Sequence, residues 1–245
     1  MRICIVIPVY NEEKIIFQNI KIILEYAKQI SSEFKLVVDD GSKDNTRELL
    51  KKCHDEDPDS LTLLFHHGNK GYGTALRTGT KFAIDNGFEY VVFMDSDLTN
   101  HPKYLKDFYK KMLEDYDYIK ASRYSPGGGV LGVPWQRRLI SLWGNRVARL
   151  MFGLPLHDLT NGFRAVKTNI LSNIELKENG FAVIVEELCL SKFLVNSYAE
   201  VSYVLTSRSK DGGQTHFNYN FRTYFTYLKY AIKSMSKHNP IAINQ

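Results

Sequence analysis

The sequence predicts an α/β domain on a mostly parallel sheet, with its loops gathered along one edge. Three observations predict it. Apolar runs at Ile3–Ile7, Phe34–Val38 and Tyr90–Met94 read as buried strands. Each run ends in a polar cluster: Pro8-Val9-Tyr10-Asn11-Glu12-Glu13, Asp39-Asp40-Gly41-Ser42 and Asp95-Ser96-Asp97. Helical patterns lie between the runs, which is how parallel strands are connected.

In chain order, the segment from Ile15 to Ile30 places Ile16, Ile20, Ile23, Leu24 and Ala27 on one helical face. After the second strand, Asp44 to Cys53 reads as a helix start with Asp44 or Asn45 as cap. Leu61–Phe65 is a short strand. Gly71 to Ile84 begins glycine-rich and becomes helical, Pro102 to Leu113 is a further helix, and Tyr118–Ser122 a further strand. Gly127 to Pro134 reads as a flexible loop. Gln136 to Phe152 is then a helix mixing Leu139, Ile140, Trp143, Val147 and Leu150 with Arg137, Arg138, Arg146 and Arg149. Two readings fit that helix: one lying at a lipid interface, or one covering the sheet with its arginines in solvent. Tyr219 to Lys237 repeats the same mixture.

A chain of 245 residues with 44% hydrophobic content is sufficient for one domain with a sizeable core. The net charge of +5 permits an anionic partner, and the lack of basic runs sets nucleic acid aside. Cys4, Cys53 and Cys189 are scattered, without a C-x-x-C pair, so a structural zinc site is not expected and a reducing compartment is. A core strand at the start leaves no room for a signal peptide, and no run of about eighteen apolar residues spans a membrane. The expected location is cytoplasmic, with the cytosolic face of a membrane as the alternative.

Asp95 and Asp97 form a D-x-D at the C-terminal end of a strand, the crevice in which open α/β sheets bind ligands. Paired carboxylates there suit a hard cation such as Mg²⁺ or Mn²⁺, which brings a phosphorylated substrate with it. Alone, the motif reads more often as a solvated turn than as a site. No G-x-G-x-x-G follows the first strand, so a nicotinamide dehydrogenase is set aside.

The motifs Pro8-Val9-Tyr10-Asn11-Glu12, Val38-Asp39-Asp40-Gly41-Ser42 and Met94-Asp95-Ser96-Asp97 together resemble family 2 glycosyltransferases of the GT-A fold. Ala121-Ser122-Arg123-Tyr124, Gly127-Gly128-Gly129 and Asp158-Leu159-Thr160-Asn161-Gly162-Phe163-Arg164 resemble the dolichol-phosphate mannose synthase and polyprenyl-phosphate hexose synthase branch. The resemblance runs from Arg2 to about Arg208. It implies a GT-A catalytic domain over residues 1–218, with 219–245 an amphipathic helix and tail without a transmembrane segment. It implies inverting transfer of a hexose from GDP-mannose or a UDP-hexose to a polyprenyl phosphate, at or near a membrane surface or beside a membrane-anchored partner.

By position, Pro8, Tyr10, Glu12, Asp39 and Asp40 would hold the nucleoside, Gly71 and Gly73 would border the donor, and Asp95, Ser96 and Asp97 would face its diphosphate. The resemblance assigns Asp95 and Asp97 to the metal and gives Asp97, Arg123 and Arg208 the catalytic work. It places the acceptor phosphate on Arg123, Arg137 and Arg208, and Lys210 is a further cation there. Glu186 falls where relatives keep an acid near the sugar, or is an exposed helix charge. Arg164 is a further phosphate contact or the ion-pair partner of Asp158. Two departures stand out. Thr99 occupies the position where relatives carry an amide, and Thr215-His216 stands where Ser-Lys is expected. A soluble hydroxyl acceptor is the rival reading; it needs a general base, for which Asp158, Glu186 and Glu187 are the candidates.

Overall fold

Alternation along the first strand decides which helices cover which face. In β1 (Ile3–Val9), Ile3, Ile5, Ile7 and Val9 join one buried cluster, whereas Cys4 and Val6 join the other. The first cluster is closed by α1 (Ile16–Ala27), α2 (Thr46–Glu56) and α4 (Leu105–Leu113). The second is closed by α3 (Tyr72–Asp85), α7 (Val183–Ser191) and α8 (Phe221–Met235). The computed structural model describes residues 1–30, 35–208 and 221–235, with the side chains at 35, 137 and 221–224 outside that description.

The remaining strands are β2 (Lys35–Asp39), β3 (Leu61–Phe65), β4 (Tyr90–Phe93), β5 (Tyr118–Ser122), β7 (Arg164–Lys167) and β8 (Tyr198–Ser202). They form a seven-stranded sheet in the order β3-β2-β1-β4-β7-β5-β8. All neighbours are parallel except β7, which runs antiparallel between β4 and β5. The chain thus has the expected mostly parallel α/β architecture flanked by helices. Strand order reverses beside β1 and β4, so the polar clusters after these two strands meet at the switch point.

The expected apolar face of α1 is buried as read. At α2, Asn45 is the boundary residue, but Asp44 supplies the oxygen, accepting from Thr46 N at 3.1 Å. His101 caps the turn at Pro102–Tyr104, its ring accepting from Lys103 N.

The glycine-rich stretch read as a flexible loop is partly pinned. β6 (Gly129–Val130) pairs with β9 (Val204–Leu205), which draws residues 132–134 over the sheet edge. α5 (Trp135–Phe152) does not cover the sheet. It packs against α8 and leaves Trp135, Ile140, Trp143, Val147 and Leu150 exposed. The short α6 (Thr168–Leu171) completes the order. Phe34, Lys210, the Thr215-His216 departure and the tail from 236 lie outside the described residues, as does the side chain of Arg137.

Candidate active site

At the switch point the loops enclose a cavity of about 1060 Å³. Pro8, Tyr10, Glu12, Asp40, Gly71, Asp95, Ser96, Asp97, Arg123 and Arg208 all line it, so the three sequence clusters and two of the predicted arginines converge on one space.

The acid pair is built from two different environments. Asp95 is half-buried at the cavity wall, accepting from Tyr72 Oη at 3.3 Å and from Asn100 Nδ2 at 3.1 Å. Burial, and then the charge of Asp97, push its carboxyl up to about 7. Asp97 stays partly solvated. Its Oδ1 accepts from Thr99 N and Thr99 Oγ1 at 3.0 and 2.8 Å, and its Oδ2 from Arg208 Nε at 2.8 Å. Thr99 therefore orients Asp97 with its hydroxyl. Arg208 also pairs with Glu12, so one guanidinium ties the loop after β1 to the loop after β4. Burial pushes the Glu12 carboxyl up, and Arg208 draws it back.

Among the described residues no group of three or more His, Cys, Asp and Glu side chains stands ready for a metal. Two carboxylates facing a roomy cavity nevertheless match what Mg²⁺ or Mn²⁺ uses when substrate phosphates and water complete its shell. Asp95 and Asp97 are the residues that would hold it.

Several predicted roles need correction. Asp39 does not line the cavity: Arg47 Nε bonds its Oδ2 at 2.6 Å and Ser42 N reaches both oxygens. Asp40 lines the cavity, but it accepts from His66 Nδ1, Lys70 N and Gly71 N, so it also anchors the turn into α3. Gly73 does not face the cavity. Gly71 and Gly73 are small because the backbone at Glu178 and Asn179 presses onto them, with Gly73 N donating to Asn179 O at 2.7 Å. Gly71 also adopts φ +97°, a left-handed conformation suited to glycine.

Arg123 reaches the cavity already paired. Its Nε and Nη2 bond both oxygens of Asp158 at 2.6 and 2.8 Å, and Nη2 also bonds Thr160 Oγ1. Asp158 is therefore the partner of Arg123. Arg164 pairs with Glu187 instead, through two bonds of 2.6 Å, and does not line the cavity. The reason is strand alternation. Arg164 and Val166 share the face of β7 that packs on α7, where Glu187 sits.

Glu186 is neither exposed nor in the sugar cavity. It is 2% exposed, and its carboxylate accepts from Lys177 N and Glu178 N and from Tyr230 Oη. Its work is to hold the 177–181 loop, which lines the cavity, and to dock α8 onto it. Thr226 and Tyr227 of α8 line the cavity themselves, so this helix completes the site.

Sequence reasoning missed Tyr72, Asn100 and Tyr203. Tyr72 stacks on Phe181 with ring centroids 4.5 Å apart and holds Asp95; its place in the glycine-rich start of α3 gave no hint of that contact. Asn100 offered a faint signal, an amide one position beyond Thr99.

Lys120 lies fully buried behind the site, its Nζ donating to Asn161 O at 2.7 Å. Burial, and then the nearby Arg164 charge, lower its ammonium to about 7. An unfolded lysine keeps its proton to about 10.4, so between pH 7 and 10 the unfolded state binds more protons and the folded state gains with rising pH. Urea midpoints measured at pH 7 and pH 9 should show the wild type gaining on Lys120→Met as pH rises. Parallel pH profiles would show that Lys120 is charged throughout.

The chain belongs to the glycosyltransferases: Glycosyl transferase family 2 matches residues 4–175. It is 32% identical over 176 residues to a polyprenol monophosphomannose synthase of Mycolicibacterium smegmatis, covering 71% of this chain and 65% of that protein. It is also 32% identical to an undecaprenyl-phosphate mannosyltransferase of Micrococcus luteus, covering 72% of this chain and 70% of that one. In fold it is similar to glucosyl-3-phosphoglycerate synthase from Mycobacterium tuberculosis, solved with Mn²⁺, UDP-glucose and phosphoglyceric acid. The TM-score is 0.65 at 19% identity, with 94% of this chain and 79% of that one covered.

Proposed function

We propose that this family 2 glycosyltransferase moves a hexose from a nucleotide sugar to a polyprenyl phosphate with inversion at the anomeric carbon. The observation that carries the reading is one cavity lined by Asp95 and Asp97 together with Arg123 and Arg208, with α8 at its rim. The names of the two relatives favour a mannosyl donor, with a UDP-hexose as the alternative.

The loops after β1 and β2 hold the nucleoside, through Pro8, Tyr10, Glu12 and Asp40. When bound, Mg²⁺ or Mn²⁺ would neutralise the diphosphate at Asp95 and Asp97. A lipid phosphate is already an anionic nucleophile, so the protein needs to orient it and offset its charge rather than remove a proton. Arg123 keeps Nη1 uncommitted among the described residues for a phosphate oxygen, while Asp158 fixes its orientation. A phosphate oxygen forms the bond to the anomeric carbon as the bond to the diphosphate breaks. The electron pair leaves with the nucleoside diphosphate.

The soluble-acceptor rival needs a general base. Asp158 is committed to Arg123, Glu186 to backbone N–H groups and Glu187 to Arg164. The lipid reading also accounts for exposed Trp143, Leu150, Phe225 and Ile232 beside exposed Arg138, Arg146 and Lys229, the make-up of a face that rests on an anionic membrane. No helix among the described residues is long and apolar enough to cross one.

The test is transfer of labelled sugar from GDP-mannose, UDP-glucose, UDP-galactose and UDP-GlcNAc to polyprenyl phosphate in detergent, with Mn²⁺ or with EDTA. An organic-extractable product that EDTA abolishes is the expected result. Donor hydrolysis without a lipid product would reject the lipid acceptor.

A further inference from the structure

Two side chains that line the cavity beside the acid pair each carry a buried polar atom without a hydrogen-bond partner. Asn100 is 3% exposed, and its Nδ2 donates to Asp95 Oδ2 while its Oδ1 bonds nothing. The amide orientation is set by that bond, since reversing it would turn the carbonyl oxygen toward a carboxylate. Tyr203 is 1% exposed, and its hydroxyl likewise has no partner. The neighbouring Asn161 amide makes its hydrogen bonds with Ala121 O and Phe163 N, and its second Nδ2 hydrogen lies near enough to the Tyr203 hydroxyl to favour the charged form of that phenol weakly against burial.

The fold holds both side chains firmly. The Tyr203 ring lies edge-on to Tyr104 at 5.8 Å and to Phe163 at 6.5 Å. Val204 N donates to Tyr104 Oη, and Thr206 N to Thr99 O, so the segment after Tyr203 runs alongside Thr99 and Asn100. Burial keeps the Tyr203 phenol protonated and able to donate.

A buried polar atom without a partner is costly, and native folds keep few of them. Three others occur among the described residues, on Thr80, Ser191 and Tyr198, and none of these residues lines the cavity. The two on Asn100 and Tyr203 do. One is a carbonyl oxygen that only accepts; the other is a hydroxyl that donates and accepts. A group carrying neighbouring hydroxyls satisfies both. Gly162 has no side chain to displace the acid pair: a Cβ there would stand 2.9 Å from Tyr72 Oη and 3.5 Å from Asp95 Oδ2, so the glycine lets both side chains sit against its backbone.

We infer that Asn100 Oδ1 and the Tyr203 hydroxyl are the subsite for hydroxyl groups of the donor hexose. The inference rests on the glycosyl-transfer reading of this cavity and adds to it the residues that sense the sugar rather than the nucleotide.

The experiment is calorimetric binding, in Mn²⁺ and without acceptor, of GDP-mannose against GDP and of UDP-glucose against UDP. It uses wild type, Tyr203→Phe and Asn100→Ala, each also melted without ligand. Tyr203→Phe should weaken the nucleotide sugar about tenfold, leave the nucleoside diphosphate unchanged, and not lower the melting point, since the hydroxyl loses no protein partner. Asn100→Ala should weaken the nucleotide sugar more than the nucleotide. Equal weakening of both ligands by Tyr203→Phe, unchanged nucleotide-sugar affinity, or a lowered melting point would overturn the subsite. A wild type that binds nucleotides but neither nucleotide sugar would also overturn it. If wild type bound no nucleotide at all, the glycosyl-transfer reading itself would fall.

Discussion

Asp97→Asn should lower kcat/KM for sugar transfer about a thousandfold while the protein stays folded, the scale on which loss of one well-placed charge-stabilising group is felt. The substitution is nearly isosteric. An asparagine Oδ1 still accepts from Thr99, so the turn after β4 keeps its local bonds. What disappears is one of the two carboxylates available to a cation, together with the charge facing Arg208. Arg208 retains Glu12, so no cation is stranded and the melting point should move little. With no third acidic or imidazole ligand grouped there among the described residues, nothing local can take over. Transfer rates with saturating Mn²⁺, together with thermal melts, decide the matter. Activity within tenfold of wild type would remove Asp97 from the metal site.

What the sequence made legible was local. The D-x-D, the clusters after β1 and β2 and the apolar face of α1 are set by spacings of a few residues; the α1 face is buried as read, and Asp95, Asp97, Glu12 and Asp40 reach one cavity while Asp39 does not. The links between distant segments were not legible. Arg208 meets Glu12 across most of the chain, and no pattern in either segment announces it. β7 escaped notice because a four-residue strand that begins and ends in a cation has no apolar run to detect, and only burial of Arg164 against Glu187 makes it a core strand. The same gap explains the misassigned partner of Arg164. Asp158 is six residues away in sequence but is taken by Arg123, whereas Glu187 arrives on α7 from the opposite direction. Glu186 and Glu187 look alike in sequence. One turns to the 177–181 loop and the other to β7, a difference set wholly by how α7 lies on the sheet.

Glu187→Ala should cost about 3–5 kcal/mol of stability, because it leaves the Arg164 guanidinium buried without its counter-ion. For a chain of this size that is a fall in melting point on the order of 10 °C. Arg164 is enclosed on every side. Its Nε and Nη2 bond Glu187, its Nη1 bonds Gly162 O at 2.8 Å, and its guanidinium stacks 4.2 Å from the Phe93 ring. Tyr118 Oη donates to the same carboxylate, so the single substitution strands a hydroxyl as well. Replacing both partners, Arg164→Met with Glu187→Met, removes the charge along with its need for a counter-ion, and most of the lost stability should return. A double variant as unstable as Glu187→Ala would show that the pair is a net source of stability. Restored stability should not restore activity. Arg164 also fixes the carbonyl of Gly162, the residue whose missing side chain lets Tyr72 and Asp95 sit against the backbone. The double variant should melt near wild type and still bind donor poorly, because the pair's contribution to the site lies in placing that wall rather than in holding the sheet together.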